Sequence, residues 1–437
     1  MNYRSTIKQK KSFIKPLITL VLLMATLGSE VMAQQDNFNE FSGEILDETT
    51  KKPLVFATLN LEGSNVSTIT NTEGKFLIKI PKENTEGTIT ISFLGYKSLS
   101  VPLTQLKETK NKLLMTASVT ELSEVNIRVP KDAESLVRET LKKRGENYIS
   151  EPTVMTGFYR ETIKKRKRNV SLSEAVVNIY KTPYTSSKND ALQLYKARKS
   201  TDYSKLDTVA LKLQGGPFNA LFVDMVKYPD YIFNDDSIDY YDFSFVNSTR
   251  VNDRLIYVVE FKQKPEIIDP FYSGKLYIDA ENKILTRAIY ALNITDKRLA
   301  AKMFVRKKPR NARVWPTEIA YRVDYREKDG KWYYGYSNAF LAFKIDWDKK
   351  LFNSIYSMNC EMAITDWEKN LDKSVLKTKE RMKSNIILSD EAIGFADPDF
   401  WGEYNIIEPE KSIESAIKKI QRQLKRVKND TGGTSTP

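Results

Sequence analysis

Residues 71 to 80 read NTEGKFLIKI, a turn followed by a strand. Asn71 and Glu73 precede Gly74 where a hairpin needs positive φ, and Phe76, Ile78 and Ile80 then fall on one face at period two. The same alternation recurs in VFATLNL (55–61), which sets Val55, Ala57, Leu59 and Leu61 on one face, and in TITISFLGY (88–96), with Ile89, Ile91 and Phe93. Short strands repeated with turn signals from Phe41 to about Arg128 predict a small β-sandwich.

Toward the N-terminus, Arg4, Lys8, Lys10, Lys11 and Lys15 precede an apolar run from Pro16 to Gly28, and Val31 and Ala33 stand at a small-residue cleavage site. Residues 1–33 are therefore expected to be a secretory signal peptide. The apolar run is shorter than the roughly 20 residues a spanning helix needs, and no later segment supplies one, so no transmembrane segment is expected in the mature chain. Gln34, not cysteine, follows the expected cut. These signals lead to the expectation of an exported, periplasmic protein, with association with the outer membrane as a further option.

Composition narrows the chemistry. A chain of 437 residues suggests two or three domains, and its formal net charge of +13 gives it a basic surface. For an exported protein the matching partners are anionic lipid, a glycan or an outer-membrane protein, not nucleic acid. The single cysteine, Cys360, excludes an internal disulfide and reads as a buried thiol. Histidine is absent, which excludes Ser-His-Asp and Cys-His machinery, HExxH zinc sites and most common zinc or copper sites. No cofactor or metal is expected. NDDSIDYYD (234–242) clusters Asp235, Asp236, Asp239 and Asp242 but lacks the glycine and distal glutamate of an EF-hand loop, and reads as a solvated acidic turn.

Beyond the sandwich the period changes. Ala133, Leu136, Val137, Thr140 and Leu141 fall at helical spacing behind Asp132 as N-cap. Longer strands follow, in LIYVVEFK, in SGKLYIDAENKILTRAIYALNI with Asp279 and Asn282 at its turn, in TEIAYRVDYR (317–326) and in KWYYGYSNAFLAFKI. Sequential hairpins of this length predict a large, curved antiparallel sheet, with one face closed by the helix near 133–144 and by irregular segments around 203–237. Ile413, Ile417, Ile420, Leu424 and Val427 then repeat at helical spacing behind Pro409. The expected fold class is mainly β with α: a signal peptide (1–33), a transthyretin-like sandwich (38–128), a larger α+β domain (129–407), a basic amphipathic helix (408–428) and a disordered tail (429–437).

Two sets of residues are candidates for binding. Trp332, Tyr334 and Tyr336 in KWYYGY, with Tyr240, could grip a sugar ring or acyl chain if one sheet face is open; sheet core is the alternative reading. Lys418, Lys419, Arg422, Lys425 and Arg426, on the polar face of the terminal helix, are candidates for contact with an anionic surface. KKRKR (164–168) reads as a hairpin tip, with head-group contact as its sharper use. No catalytic residue can be assigned: neither a GxSxG elbow nor a Walker A loop occurs, and any chosen pair among 56 acidic residues carries little information.

Gly43, Pro53, Ala57, Gly63, Thr70, Asn71, Gly74, Phe76, Pro81, Gly95 and Tyr96 together resemble the carboxypeptidase regulatory-like domain, a transthyretin-like sandwich. The resemblance implies a module found at the N-terminus of TonB-dependent transporters and in other exported proteins of Gram-negative bacteria, without zinc ligands. GKLYIDAENKILTRAIY is similar to the sheet of periplasmic lipoprotein carriers. ELSEVNIRVPKDAESLVRETLKKRGENY, MTGFYRETI, SEAVVNIYKTPY and DPDFWGEYNIIEPEKSIESAIKKI resemble exported proteins known by their regulatory-like N-terminal domain, whose second domain is uncharacterised; that likeness implies no reaction. The sequence reading favours a non-enzymatic envelope protein that binds lipid, a glycan or an outer-membrane partner. The alternatives are a carboxylate-dependent hydrolase of glycans or peptides and an accessory subunit of an outer-membrane transporter.

Overall fold

The computed structural model describes residues 37–118, 132–201, 213–234, 236–251, 254–348, 351–372, 374–394 and 400–411. The expected signal peptide, the expected tail and nearly all of the expected terminal helix lie outside them, and with that helix Lys418, Lys419, Arg422, Lys425 and Arg426. What is described is mainly β with short helices.

The first strand, β1 (Phe38–Asp47), lies between β4 (Lys75–Pro81), antiparallel to it, and β7 (Asn111–Met115), parallel to it. A second small sheet runs in the order β3 (Ser67–Ile69), β2 (Thr58–Leu61), β5 (Thr88–Ser92) and β6 (Leu99–Pro102). The alternation in sequence becomes burial here: Ala57, Leu59, Leu61, Phe76, Ile78, Ile80, Ile89 and Ile91 are each at most 2% exposed and share one core with Ile45 and Met115. The NTEG turn works as its residues suggest. Gly74 takes φ of +73°, and Asn71 Oδ1 accepts from the N–H groups of Glu73 (2.9 Å) and Lys75 (3.0 Å). The Thr50 N–H and the Tyr96 hydroxyl, which donates at 2.7 Å, hold the Asp47 carboxyl down to about 2.

The larger sheet has eleven strands among the described residues. Three successive strands come first, β8 (Thr153–Lys165), β9 (Arg168–Lys181) and β10 (Ala191–Thr201). The chain then crosses to the far edge and returns, each strand antiparallel to the last, through β11 (Tyr241–Val251), β12 (Arg254–Gln263), β13 (Tyr272–Asp279), β14 (Ile284–Leu292), β15 (Ala312–Lys328), β16 (Lys331–Trp347) and β17 (Ser354–Lys369). Pairing of β17 with β8 joins the two halves, and a two-residue strand, β18 (Ile393–Gly394), lies parallel to β10.

Alternation along these strands divides the sheet into two faces. The inner face carries the main core and is covered by α1 (Ala133–Lys142), by residues 218–233, and by α2 (Lys297–Phe304). Both helices start on side-chain caps: Asp132 accepts from Ser135 N–H at 2.6 Å, and Asp296 from those of Arg298 and Leu299 at 2.8 and 3.1 Å. On the outer face, Phe158, Val176, Tyr336 and Ala363 pack with Trp401, Ile406 and Ile407 of the C-terminal segment and with Ile69 of the sandwich. That segment is laced to the sandwich by polar contacts as well. Asn405 exchanges two hydrogen bonds with the Lys79 backbone, Thr68 donates to Ile406 O at 3.0 Å, and Asn71 Nδ2 donates to Glu408 O at 3.0 Å.

An apolar cavity under a basic loop as the candidate functional site

The inner face of β16 is built from Ala339, Leu341, Phe343 and Ile345, a period-two run whose side chains offer no hydrogen bond. Register places Met358 of β17 beside Leu341 and Val314 of β15 beside Ile345. This apolar floor is not sealed. After α2 ends at Phe304, the chain runs through Val305, Arg306, Lys307, Lys308 and Pro309 before entering β15. Lys308 Nζ donates to Ala312 O at 2.7 Å, which holds that loop over the strand ends. A second wall comes from Leu213, Gln214 and Asn219, tied to Ile387 through Gly215 N–H, which donates to Ile386 O at 2.7 Å. Floor, loop and wall border an open cavity of about 760 Å³. That volume lies within the range of sites for drug-sized ligands, roughly 300–1,000 Å³.

The cavity is chemically polarised. Its floor and much of its roof are aliphatic or aromatic, while Arg306, Lys307 and Lys308 at one rim are exposed. Among the described residues that line it there is no carboxylate. Such a site accepts an apolar body and, at the rim, a negative group.

One further ionisable group lies close to the floor. Tyr321, Ala339, Cys360 and Glu161 are successive partners across β15, β16, β17 and β8. Glu161 is 5% exposed, and burial pushes its carboxyl up to about 7 although Tyr159 Oη donates to it at 3.0 Å. Burial likewise pushes the Cys360 thiol up, so the lone cysteine is a core group and not a nucleophile at neutral pH.

A second ionic set lies in the inner core. Lys181 Nζ sits 3.0 Å from Asp190 and 2.8 Å from Asp224, and all three side chains are at most 2% exposed. Tyr228 Oη donates to Asp190 and Tyr325 Oη to Asp224, at 2.8 and 2.9 Å. Asp224 belongs to the covering segment and Lys181 to β9, so this set pins the cover to the sheet. Its two carboxylates share one lysine between them and are closed to solvent, an arrangement unlike the two facing acids that glycoside hydrolysis needs.

Residues 41–127 match the family model of the CarboxypepD_reg-like domain. That match covers the sandwich and none of the cavity. No curated protein matches the chain. Among solved structures, the chain is similar to a DUF1329 family protein from Desulfovibrio piger, at 11% identity over 55% of this chain and 95% of that one, with a TM-score of 0.24. It is also similar to a LolA superfamily protein from Nitrosomonas europaea, at 9% identity over 59% of this chain and all of that one, with a TM-score of 0.22.

The four aromatic candidates do not assemble into one groove. Tyr334 and Tyr336 are 0% and 1% exposed and belong to different cores: Tyr334 lies in the inner one, its hydroxyl within hydrogen-bond distance of Ser337, and Tyr336 in the outer one against Phe56. Trp332, half-buried near the β15–β16 turn, accepts through its carbonyl from Ile149 N–H at 3.0 Å. Tyr240 precedes the edge strand β11 and packs on Phe271. None of the four lines the cavity. In the acidic stretch Asp239 pairs with Arg138, and among the described residues no three Asp, Glu or Cys side chains gather as metal ligands. The signal for the cavity was present in SNAFLAFKI (337–345) and FVRKKPR (304–310), an apolar strand face and a basic loop far apart in sequence.

Proposed function

We propose that this is a non-enzymatic cell-envelope protein that binds an amphiphile, an acyl chain with an anionic head group, in the cavity between β15–β17 and the 304–309 loop. The observation that carries this reading is the pairing of an aliphatic floor, Leu341, Phe343, Ile345 and Met358, with an exposed basic rim, Arg306, Lys307 and Lys308. Each buried methylene contributes about 0.8 kcal/mol, so ten would supply on the order of 8 kcal/mol before the several kcal/mol that association costs. A glycan would instead need convergent hydrogen-bonding side chains, which this floor does not offer. The sandwich, fastened to the opposite face of the sheet, serves in this reading as a fixed attachment module toward an outer-membrane partner. No described helix is long and apolar enough to cross a membrane.

The test is native mass spectrometry and lipid extraction of the protein made with its own leader, followed by titration with a fluorescent fatty acid. Co-purified acyl lipid, or saturable fatty-acid binding of one equivalent, is the expected result. Absence of both, with binding of a soluble oligosaccharide instead, would exclude the proposal.

A further inference from the structure

We propose that the hairpin tips at one end of the large sheet form a docking surface for an anionic lipid bilayer. The connection between β16 and β17 leaves Leu351 97% and Phe352 78% exposed, with Ile355 at the start of β17 48% exposed. Single exposed apolar residues are ordinary, but three within five positions on one narrow tip form a patch that water solvates at a cost. The neighbouring tip is basic. The β8–β9 turn presents Arg166, Lys167 and Arg168 to solvent, and Arg166 N–H donates to Ile355 O at 2.9 Å, which fixes the two tips side by side. Lys349 and Lys350 precede Leu351 in the sequence.

Among the described residues, acids near these tips are partly engaged. Asp346 lies 3.1 Å from Arg313, Glu410 lies 4.0 Å from Lys164, and Asp348 is exposed. Exposed apolar side chains on one tip beside a cationic tip suit a bilayer of negative charge, where the apolar groups enter the interface and the cations meet head groups. A flat acidic protein surface would match the cations but leave Leu351 and Phe352 without a place to leave water.

The location adds meaning. Val314 and Ile345, which line the cavity, are two register steps inside the Ala312–Trp347 pair that closes the strands at this end, about 7 Å along β16. Docking would bring the cavity to the bilayer surface, where an acyl ligand is taken up or delivered. That last step rests on the cavity reading; the docking does not.

Phe352→Cys, carrying an environment-sensitive nitrobenzoxadiazole label, tests it, since the native Cys360 is buried. Vesicles of phosphatidylglycerol and phosphatidylcholine in equal parts should blue-shift and brighten the label, less so as salt rises, while phosphatidylcholine alone should not. In unlabelled protein, Leu351→Ser and Phe352→Ser together, or Arg166→Glu, Lys167→Glu and Arg168→Glu together, should lower partitioning onto the anionic vesicles roughly tenfold or more with melting temperature unchanged. A label indifferent to anionic vesicles, or equally responsive to neutral ones, overturns the proposal. So does binding that survives the tip reversals and is lost on reversing Lys418, Lys419, Arg422, Lys425 and Arg426. Fatty-acid binding retained beside a silent label would overturn the docking and leave the cavity reading standing.

Discussion

Tyr334 and Tyr336, two positions apart on β16, project to opposite faces of the sheet. Tyr334 pairs with Tyr325 and Tyr336 with Asp324, so Gly335 is an extra residue, a β-bulge that shifts the alternation by one. Its neighbour explains the glycine. A Cβ at Gly335 would stand 2.6 Å from Cγ and 2.8 Å from Cδ of Arg326, whose side chain is buried against the sandwich, where Nη1 donates to Ser67 Oγ at 2.6 Å and Ile364 O at 2.8 Å. Gly335→Ala is therefore expected to displace Arg326 and destabilise the fold by about 1–3 kcal/mol. Urea denaturation checks this, and an unchanged midpoint would show that Arg326 is not held against the bulge.

That bulge marks the boundary of what the sequence shows. Period two identifies β2, β4 and β5 with their buried faces, and β12 to β16 of the large sheet; the faces of the first three are legible because they meet a core made by close neighbours in the chain. Asp279 also forms the β13–β14 turn as read, its Oδ1 accepting from Glu281 and Asn282 N–H, although the positive φ falls on Lys283 and not on Asn282. The grouping of Trp332, Tyr334 and Tyr336 fails for a nonlocal reason: Gly335 is set by Arg326 and the sandwich, which period cannot see. Helix α2 is only eight residues long, with Leu299, Ala300, Met303 and Phe304 too brief a run to stand out. The cavity is hidden for the same kind of reason, since its walls come from residues near 213, 304, 341 and 387.

The Lys181 set should behave as a buried ionic cluster does. Lys181→Met leaves Asp190 and Asp224 buried without their cation and is expected to cost about 3–5 kcal/mol. Adding Asp190→Asn and Asp224→Asn should recover most of that loss. Thermal denaturation of the single and triple variants checks it; a single variant as stable as the wild type would mean the segment around Asp224 is held by its apolar contacts alone.

Glu161 should make stability fall as pH rises. Its folded-state carboxyl is raised from 4.5 to about 7, so the folded state holds this proton more tightly than the unfolded chain. The associated stability is fully present below about 4.5 and is lost as pH climbs through about 7, on the order of 3 kcal/mol for this one group. Glu161→Gln should remove that slope and raise the melting temperature at pH near 8 but not near 4. Parallel melting curves for the two proteins across that range would contradict the assignment.

Filling the cavity separates ligand binding from folding. Leu341→Trp directs an indole into the space between β16 and the 304–309 loop, where the added atoms meet volume and not packed neighbours, so stability should change by less than about 1.5 kcal/mol. Affinity for a long-chain fatty acid should fall at least roughly tenfold, because the displaced methylenes each contribute about 0.8 kcal/mol. Arg306→Glu and Lys307→Glu together, with Lys308 kept to hold the loop, should act differently, weakening a fatty acid and sparing its neutral alcohol, since they change charge at the rim and leave the floor intact. Titrations of both ligands against both variants make the comparison. If Leu341→Trp binds the fatty acid like the wild type, the acyl chain does not occupy this cavity, and the rim charges lose their assigned role with it.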